Sequence, residues 1–232
     1  FHALGRLLKE KKLTVTVGDE GGFAPHLGKV EDAFALLAEA VKVASFKLGK
    51  DVRFAADVAS CEFYDTKRKK YVFRAEGVEM NSEDLLARYS CWMDTYPFES
   101  IEDPFAEDDW SAWSEALPMF EGNEVRVVGD DLLVTNVERL KRAIDEQAAN
   151  TILIKVNQIG TLTETVDAIK TAHAAGWATS ISHRSGETSD TTIADLAVAC
   201  GSEYIKTGSL SRSERVEKYN RLLEIEEKEL GK

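Results

Sequence analysis

Six short apolar or β-branched runs, VRFAADV, FESIED, VRVVGD, TILIKV, ATSISH and EYIKTG, recur between residues 52 and 208, and most lead into an amphipathic stretch. The segments SEDLLARYSCWMD, VERLKRAIDEQ, LTETVDAIKTAHAAG and TTIADLAVACG carry their apolar residues at helical spacing. Strand and helix in alternation lead to a parallel sheet, because parallel neighbours need a crossover that a helix supplies. The sheet is then either doubly wound or closed as a barrel. A doubly wound nucleotide binder carries a Gly-rich phosphate loop after its first strand, whereas a barrel carries reactive residues at the C-terminal ends of many strands. This chain has the second pattern. Its runs end on Asp57, Glu102, Asp130, Lys155, His183 with Arg184, and Lys206. One charge at a strand end only marks where the chain meets water. Six in succession, roughly 23 to 45 residues apart, converge if the strands curl into a barrel. The predicted fold is an α/β, TIM-like (β/α) barrel in a single domain over residues 1–232.

Composition narrows the function classes. With 44% hydrophobic and 30% charged residues among 232, the chain is an ordinary globular one with enough apolar material for one sizeable core. A net charge of −12 argues against nucleic acid and anionic membranes as partners. The chain has no apolar run of membrane-spanning length and no basic-then-apolar start, so a cytoplasmic location is the simplest expectation. Cys61, Cys91 and Cys200 lack CxxC spacing and are expected to be reduced and buried. His2, His26 and His173 carry no assigned role.

The strand-end residues define the available chemistry. Asp57, Glu102 and Asp130 form a hard-oxygen set suited to Mg²⁺ rather than zinc. Like charges that close repel unless a cation or protons neutralise them. The structural alternative is an inter-strand ion-pair ring with Lys155 and Lys206. A lysine beside a cationic centre has its pKa lowered and can act as a base, and Lys155 is a candidate. His183, Arg184 and Ser185, followed by Gly186, offer donors suited to a phosphate. Near the start, VGDEGGFAP sets Asp19 and Glu20 among glycines, which by turn chemistry alone reads as a solvated surface turn.

The segments GDEGGFAP, DVASCEFYD, SIEDPFAEDDW, GDDLLVTN, LIKVNQIGTLTE, SHRSGETSDTTIADLAVA and IKTGSLSRSERVEKYNRLLEIEE, in this order, resemble enolase over essentially the whole chain. SHRSGET and IKVNQIGT are the most specific of them. The resemblance implies Mg²⁺-dependent dehydration of 2-phosphoglycerate to phosphoenolpyruvate, as in glycolysis, with Mg²⁺ on Asp57, Glu102 and Asp130. It implies Lys155 as the base that removes the α-proton, and Glu20 as the acid that assists departure of the 3-hydroxyl, carried on a flexible loop between two helices. Arg184 and Ser185 would hold the substrate phosphate with His183 beside them, and Lys206 would sit near the substrate carboxylate. Enolases are usually homodimers or octamers.

The departures from the family carry expectations too. The chain opens without Met on FHALGRLLKEKK, with Phe1, Leu4, Leu7 and Leu8 on one helical face, and reads as a chain entered in mid-helix. Against the family pattern it lacks the small N-terminal α+β domain, the first two barrel strands and the loops they carry, so the isolated chain is expected to be inactive. Cys61 before Glu62, and Ser189 where an acid is common, touch no assigned role. Two other functions remain in view. One is a Schiff-base aldolase using Lys155 or Lys206. The other is a non-catalytic plasminogen-binding surface protein acting through the C-terminal Lys232, set against the plain reading of a solvated tail.

Overall fold

The computed structural model describes residues 1–228 and 231. Lys232, on which the plasminogen-binding expectation rests, lies outside the described residues. The chain opens with helix α1 (His2–Glu10), whose Leu7 and Leu8 are buried, and a long loop leads to α2 (Val30–Val43). Strand β1 (Phe54–Asp57) starts the alternation.

A feature that the sequence pattern did not announce follows it. After a 3₁₀ turn at Ser60–Phe63, the strands β2 (Tyr64–Asp65), β3 (Lys70–Phe73) and β4 (Val78–Met80) form a separate antiparallel sheet. It is anchored by Tyr71, fully buried, whose hydroxyl donates to Asp109 Oδ2 at 3.1 Å and accepts from the Ala106 amide at 3.0 Å.

From there strand and helix alternate as expected: α3 (Ser82–Thr95), β5 (Phe98–Glu102), α4 (Trp110–Gly122), β6 (Arg126–Gly129), α5 (Val137–Asp145) and β7 (Thr151–Ile154). The short α6 (Val156–Ile159), then α7 (Leu162–Ala174), β8 (Ala178–Ser182), α8 (Thr192–Cys200), β9 (Tyr204–Lys206) and α9 (Ser213–Lys228) complete it. Several helix starts are written in the sequence. The Asn81, Asn136 and Thr161 side chains each accept a backbone N–H of the turn that follows, which satisfies donors otherwise orphaned.

The six strands pair in parallel in the order β1-β5-β6-β7-β8-β9. Every residue of β7 and β8 is buried, as a parallel sheet covered by helices requires. Each fully buried Ile or Leu in this core contributes roughly 1.5–3 kcal/mol.

Side-chain contacts reveal the sheet's curvature. Laid flat, five inter-strand spacings would hold β1 and β9 about 24 Å apart. Yet Lys206 Nζ of β9 lies 2.7 Å from Asp57 Oδ2 of β1, and Tyr204 of β9 donates to Glu99 Oε1 of β5 at 2.6 Å. The sheet therefore curls into a half-barrel, the predicted α/β class with six of its strands present.

The cysteines depart from expectation. All three are free thiols, but Cys91 is exposed on α3, and Cys61 and Cys200 are only partly covered. The helix α3 buries Leu85, Tyr89 and Trp92 instead, and Cys91 falls off that face. Among the described residues no helix is long and apolar enough to cross a membrane.

Candidate active site

The C-terminal ends of the six parallel strands meet at one mouth of the half-barrel. Asp57, Glu102 and Lys206 are the last residues of β1, β5 and β9, and Asp130, Lys155 and His183 directly follow β6, β7 and β8. A cleft of about 440 Å³ opens there, lined by Glu20, Asp57, Asp130, Lys155, His183, Arg184, Ser185 and Lys206. Glu102 lies in the sheet wall, buried, opposite Asp57 in the register of β1 and β5. All of the predicted site residues thus come together. A larger cavity of about 610 Å³ lies between the 25–33 segment and β3, away from the strand-end lysines.

The charges pair across the mouth. Lys206 Nζ donates to Asp57 Oδ2 and to Glu102 Oε1, each at 2.7 Å, and Lys155 Nζ donates to Asp130 Oδ2 at 2.5 Å. Burial pushes the Glu102 carboxyl up to about 7; Lys206 opposes the rise, while Asp57 and Asp130 add to it. Burial would lower Lys206, but Glu102 and Asp57 more than offset it and hold the ammonium charged. A lysine held this way is a poor Schiff-base nucleophile, which disfavours Lys206 in the aldolase alternative.

Lysine–carboxylate pairs of the kind weighed in the sequence are therefore present, Lys206 with Asp57 and Glu102 and Lys155 with Asp130, and carboxylate oxygens are also the donors that a hard divalent cation takes. Asp130 Oδ1 is buried without a hydrogen-bond partner, an open acceptor at the mouth. Among the described residues Asp103, Asp130 and Asp131 form an acidic group in which one oxygen from each lies within 4.8 Å of the others. Asp103, however, is occupied. Its two oxygens accept the Asp130 and Asp131 amides at 2.9 and 2.8 Å, which fixes the turn that aims Asp130 into the cleft. Burial raises the Asp103 pKa well above its ordinary value, against the pull of those two amides.

Glu20 reaches the cleft from the loop between α1 and α2. Its Oε1 lies 3.4 Å from Ser185 Oγ, and its Oε2 lies 3.4 Å from His183 Nε2. The backbone of this loop is pinned: Ser209 N donates to Glu20 O at 2.8 Å, and Ser211 Oγ donates to Gly21 O at 3.1 Å. Gly21 has φ +78°, and a Cβ there would lie 2.2 Å from the Ser211 carbonyl oxygen, so only glycine fits. That close approach accounts for the glycine that follows Glu20.

Other residues shape the site without having been singled out in the sequence. Arg184 Nη1 donates to Asn157 Oδ1 at 2.7 Å, and Thr135 Oγ1 accepts the Lys155 amide at 2.9 Å. Arg215 of α9, fully buried, touches His183, Arg184 and Ser185. Asp103 and Arg215 are each ionisable side chains that lie buried, and pattern reading assigns such residues to solvent.

A family model described as enolase, C-terminal TIM barrel domain, matches residues 1–232, the whole length of the chain. With strand-end acids and lysines gathered at the mouth of a parallel half-barrel, the chain belongs to the enolase C-terminal TIM barrel domain family.

Proposed function

We propose that this chain is the catalytic barrel of an enolase, forming one domain over residues 1–232, and that its site dehydrates 2-phosphoglycerate to phosphoenolpyruvate. The observation that carries the reading is the placement of Glu20 beside the phosphate-type donors of residues 183–185, in the same cleft as the Lys155–Asp130 pair. Lys155, in its neutral amine form, takes the proton from C2 of the substrate, and Glu20, in its protonated form, gives its proton to the 3-hydroxyl. The C3–O bond then breaks, water leaves, and the C2–C3 double bond forms. Arg184 and Ser185 hold the phosphate with His183 beside them, and Lys206 sits near the carboxylate. Asp57, Glu102 and Asp130 would hold Mg²⁺, which when bound would supply positive charge beside the substrate carboxylate. A Lys or His base with Mg²⁺ is a general property of enolase-superfamily sites rather than a deduction from these residues. Preorganised charge of this sort is commonly the largest contribution to a rate enhancement.

The test begins with binding, because β1 and β9 each keep an unpaired edge among the described residues. Calorimetry with phosphoenolpyruvate and Mg²⁺ should show binding that Arg184→Ala abolishes. Turnover followed by phosphoenolpyruvate absorbance, wherever present, should need Mg²⁺ and fall by about 10²–10⁴-fold in Lys155→Ala. Neither binding nor turnover with any divalent cation would overturn the assignment.

A further inference from the structure

The helix α9 carries two fully buried cations, Arg215 and Lys218, three residues apart. Both spend most of their donors on backbone carbonyls. Lys218 Nζ donates to Thr188 O and to Glu214 O, and the carboxylate of Glu187 stays 3.7 Å away. Arg215 is used more fully. Its Nη1 donates to His183 Nδ1 at 2.6 Å and to Arg184 O at 2.7 Å, and its Nη2 donates to Ser185 O at 2.8 Å and to Asp19 O at 3.2 Å. Four terminal N–H groups thus meet four acceptors from two loops, one carrying Glu20 and the other carrying residues 183–185. The fit is tight, since a Cβ on Gly208 would lie 2.6 Å from Arg215 Cδ and 2.9 Å from Glu20 O.

One of these bonds settles a proton. A guanidinium is donor-only and is not deprotonated in proteins, so the His183 nitrogen that faces it must accept. Nδ1 therefore carries no proton, and the proton of the neutral ring sits on Nε2. That Nε2 is buried, makes no hydrogen bond, and lies 3.4 Å from Glu20 Oε2. A buried donor without a partner costs free energy unless a group that enters the cleft completes it.

We propose that Arg215 is a positioning residue: it locks His183 as the neutral Nε2–H tautomer, so that a fixed donor faces Glu20 and the cleft, and it ties the Glu20 loop to the 183–185 loop. Its functional consequence rests on the proposed enolase reading, but the tautomer does not. The function of Arg215 is then to decide which histidine nitrogen the ligand meets.

The test is nitrogen NMR of the histidine rings in the labelled chain at neutral pH. The chain has four histidines, so His183→Gln identifies the resonances by their loss. The expected spectrum has a pyridine-type Nδ1 and a pyrrole-type Nε2, in one tautomer. Glu20→Gln should leave this unchanged, Arg215→Lys should keep it because a donor remains, and Arg215→Met should give a mixture of tautomers. A protonated Nδ1 in the unsubstituted chain would overturn the proposal even if every Arg215 variant failed to fold. So would a tautomer that switches in Glu20→Gln, since Glu20 would then be choosing it. Phosphoenolpyruvate binding, measured on the same samples, should weaken at least about tenfold in Arg215→Met. If the tautomer holds but no phosphoenolpyruvate binds, the enolase reading fails and the role of Arg215 in fixing the ring stands.

Discussion

Replacing Gly21 by alanine tests whether the glycines around Glu20 are required or merely tolerated. The new Cβ would lie 2.2 Å from Ser211 O, and restoring an ordinary 3.4 Å contact means parting the two backbones by about 1.2 Å. The left-handed φ of +78° adds about 1–2 kcal/mol for an L side chain. Two neighbours serve as controls. Gly22→Ala would meet only Ser209 Cβ at 3.8 Å, Gly18→Ala would meet nothing within 4 Å, and neither position is left-handed. In urea denaturation followed by circular dichroism, Gly21→Ala should lose about 1–2 kcal/mol or more, and the two controls should stay within about 0.5 kcal/mol of the parent. Because Glu20 immediately precedes the strained residue, a displacement of about 1 Å should cost on the order of 10²-fold in any turnover that uses it. If Gly21→Ala is as stable as Gly22→Ala, the close approach to Ser211 is not what demands glycine, and the reasoning fails.

Other predictions follow from the charged groups. Mg²⁺ at a hundred times its dissociation constant should stabilise the chain by about 2.7 kcal/mol against urea; Asp130→Asn should remove most of that gain, and an equal gain in the variant would exclude Asp130 as a ligand. Glu31 is raised by burial but lowered overall by hydrogen bonds from Trp92 and Arg88, so its folded pKa lies below the ordinary 4.5. Its stabilisation is then fully present above that value and lost as pH falls through the depressed pKa. The gap in thermal midpoint between the parent and Glu31→Gln should be constant near neutrality and narrow as the solution is acidified below 4.5; a gap that widens would reverse the assignment.

The half-barrel was legible because its signal is repeated. TILIKV or ATSISH alone is ambiguous, but each is an apolar run that stops on a charge, and the parallel sheet brings every one of those charges to the same end. The sheet of β2, β3 and β4 left no such trace. Its strands are two to four residues long and sit among Lys67, Arg68, Lys69, Glu76 and Glu79, so no alternation of two develops. Within the site, Glu102 and Asp130 were visible as interruptions of apolar runs. Asp103 was hidden by following Glu102 directly, and its role lies in two amides of a turn 27 and 28 residues further on. Arg215 and Lys218 were hidden for a related reason. On an amphipathic helix they look like the solvated face, and their burial depends on carbonyls from a loop that only the tertiary fold brings near. The Cys91 expectation failed because helical position, not residue type, decided its exposure.

The pinning of the Glu20 loop by the last connection has a kinetic side. Ser211 reaches Gly21 across 190 residues and Arg215 reaches Asp19 across 196, so the loop that carries Glu20 is held by a segment far along the chain. Contacts of such sequence separation form late, after shorter-range structure has lowered their closure entropy. On a ribosome, where the N-terminal part emerges first, residues 19–21 wait for α9 before they can be placed. A partly made or partly folded chain can therefore own a sheet, a core and even the Lys155–Asp130 pair, and still leave Glu20 unplaced, so any turnover that uses Glu20 would wait for α9.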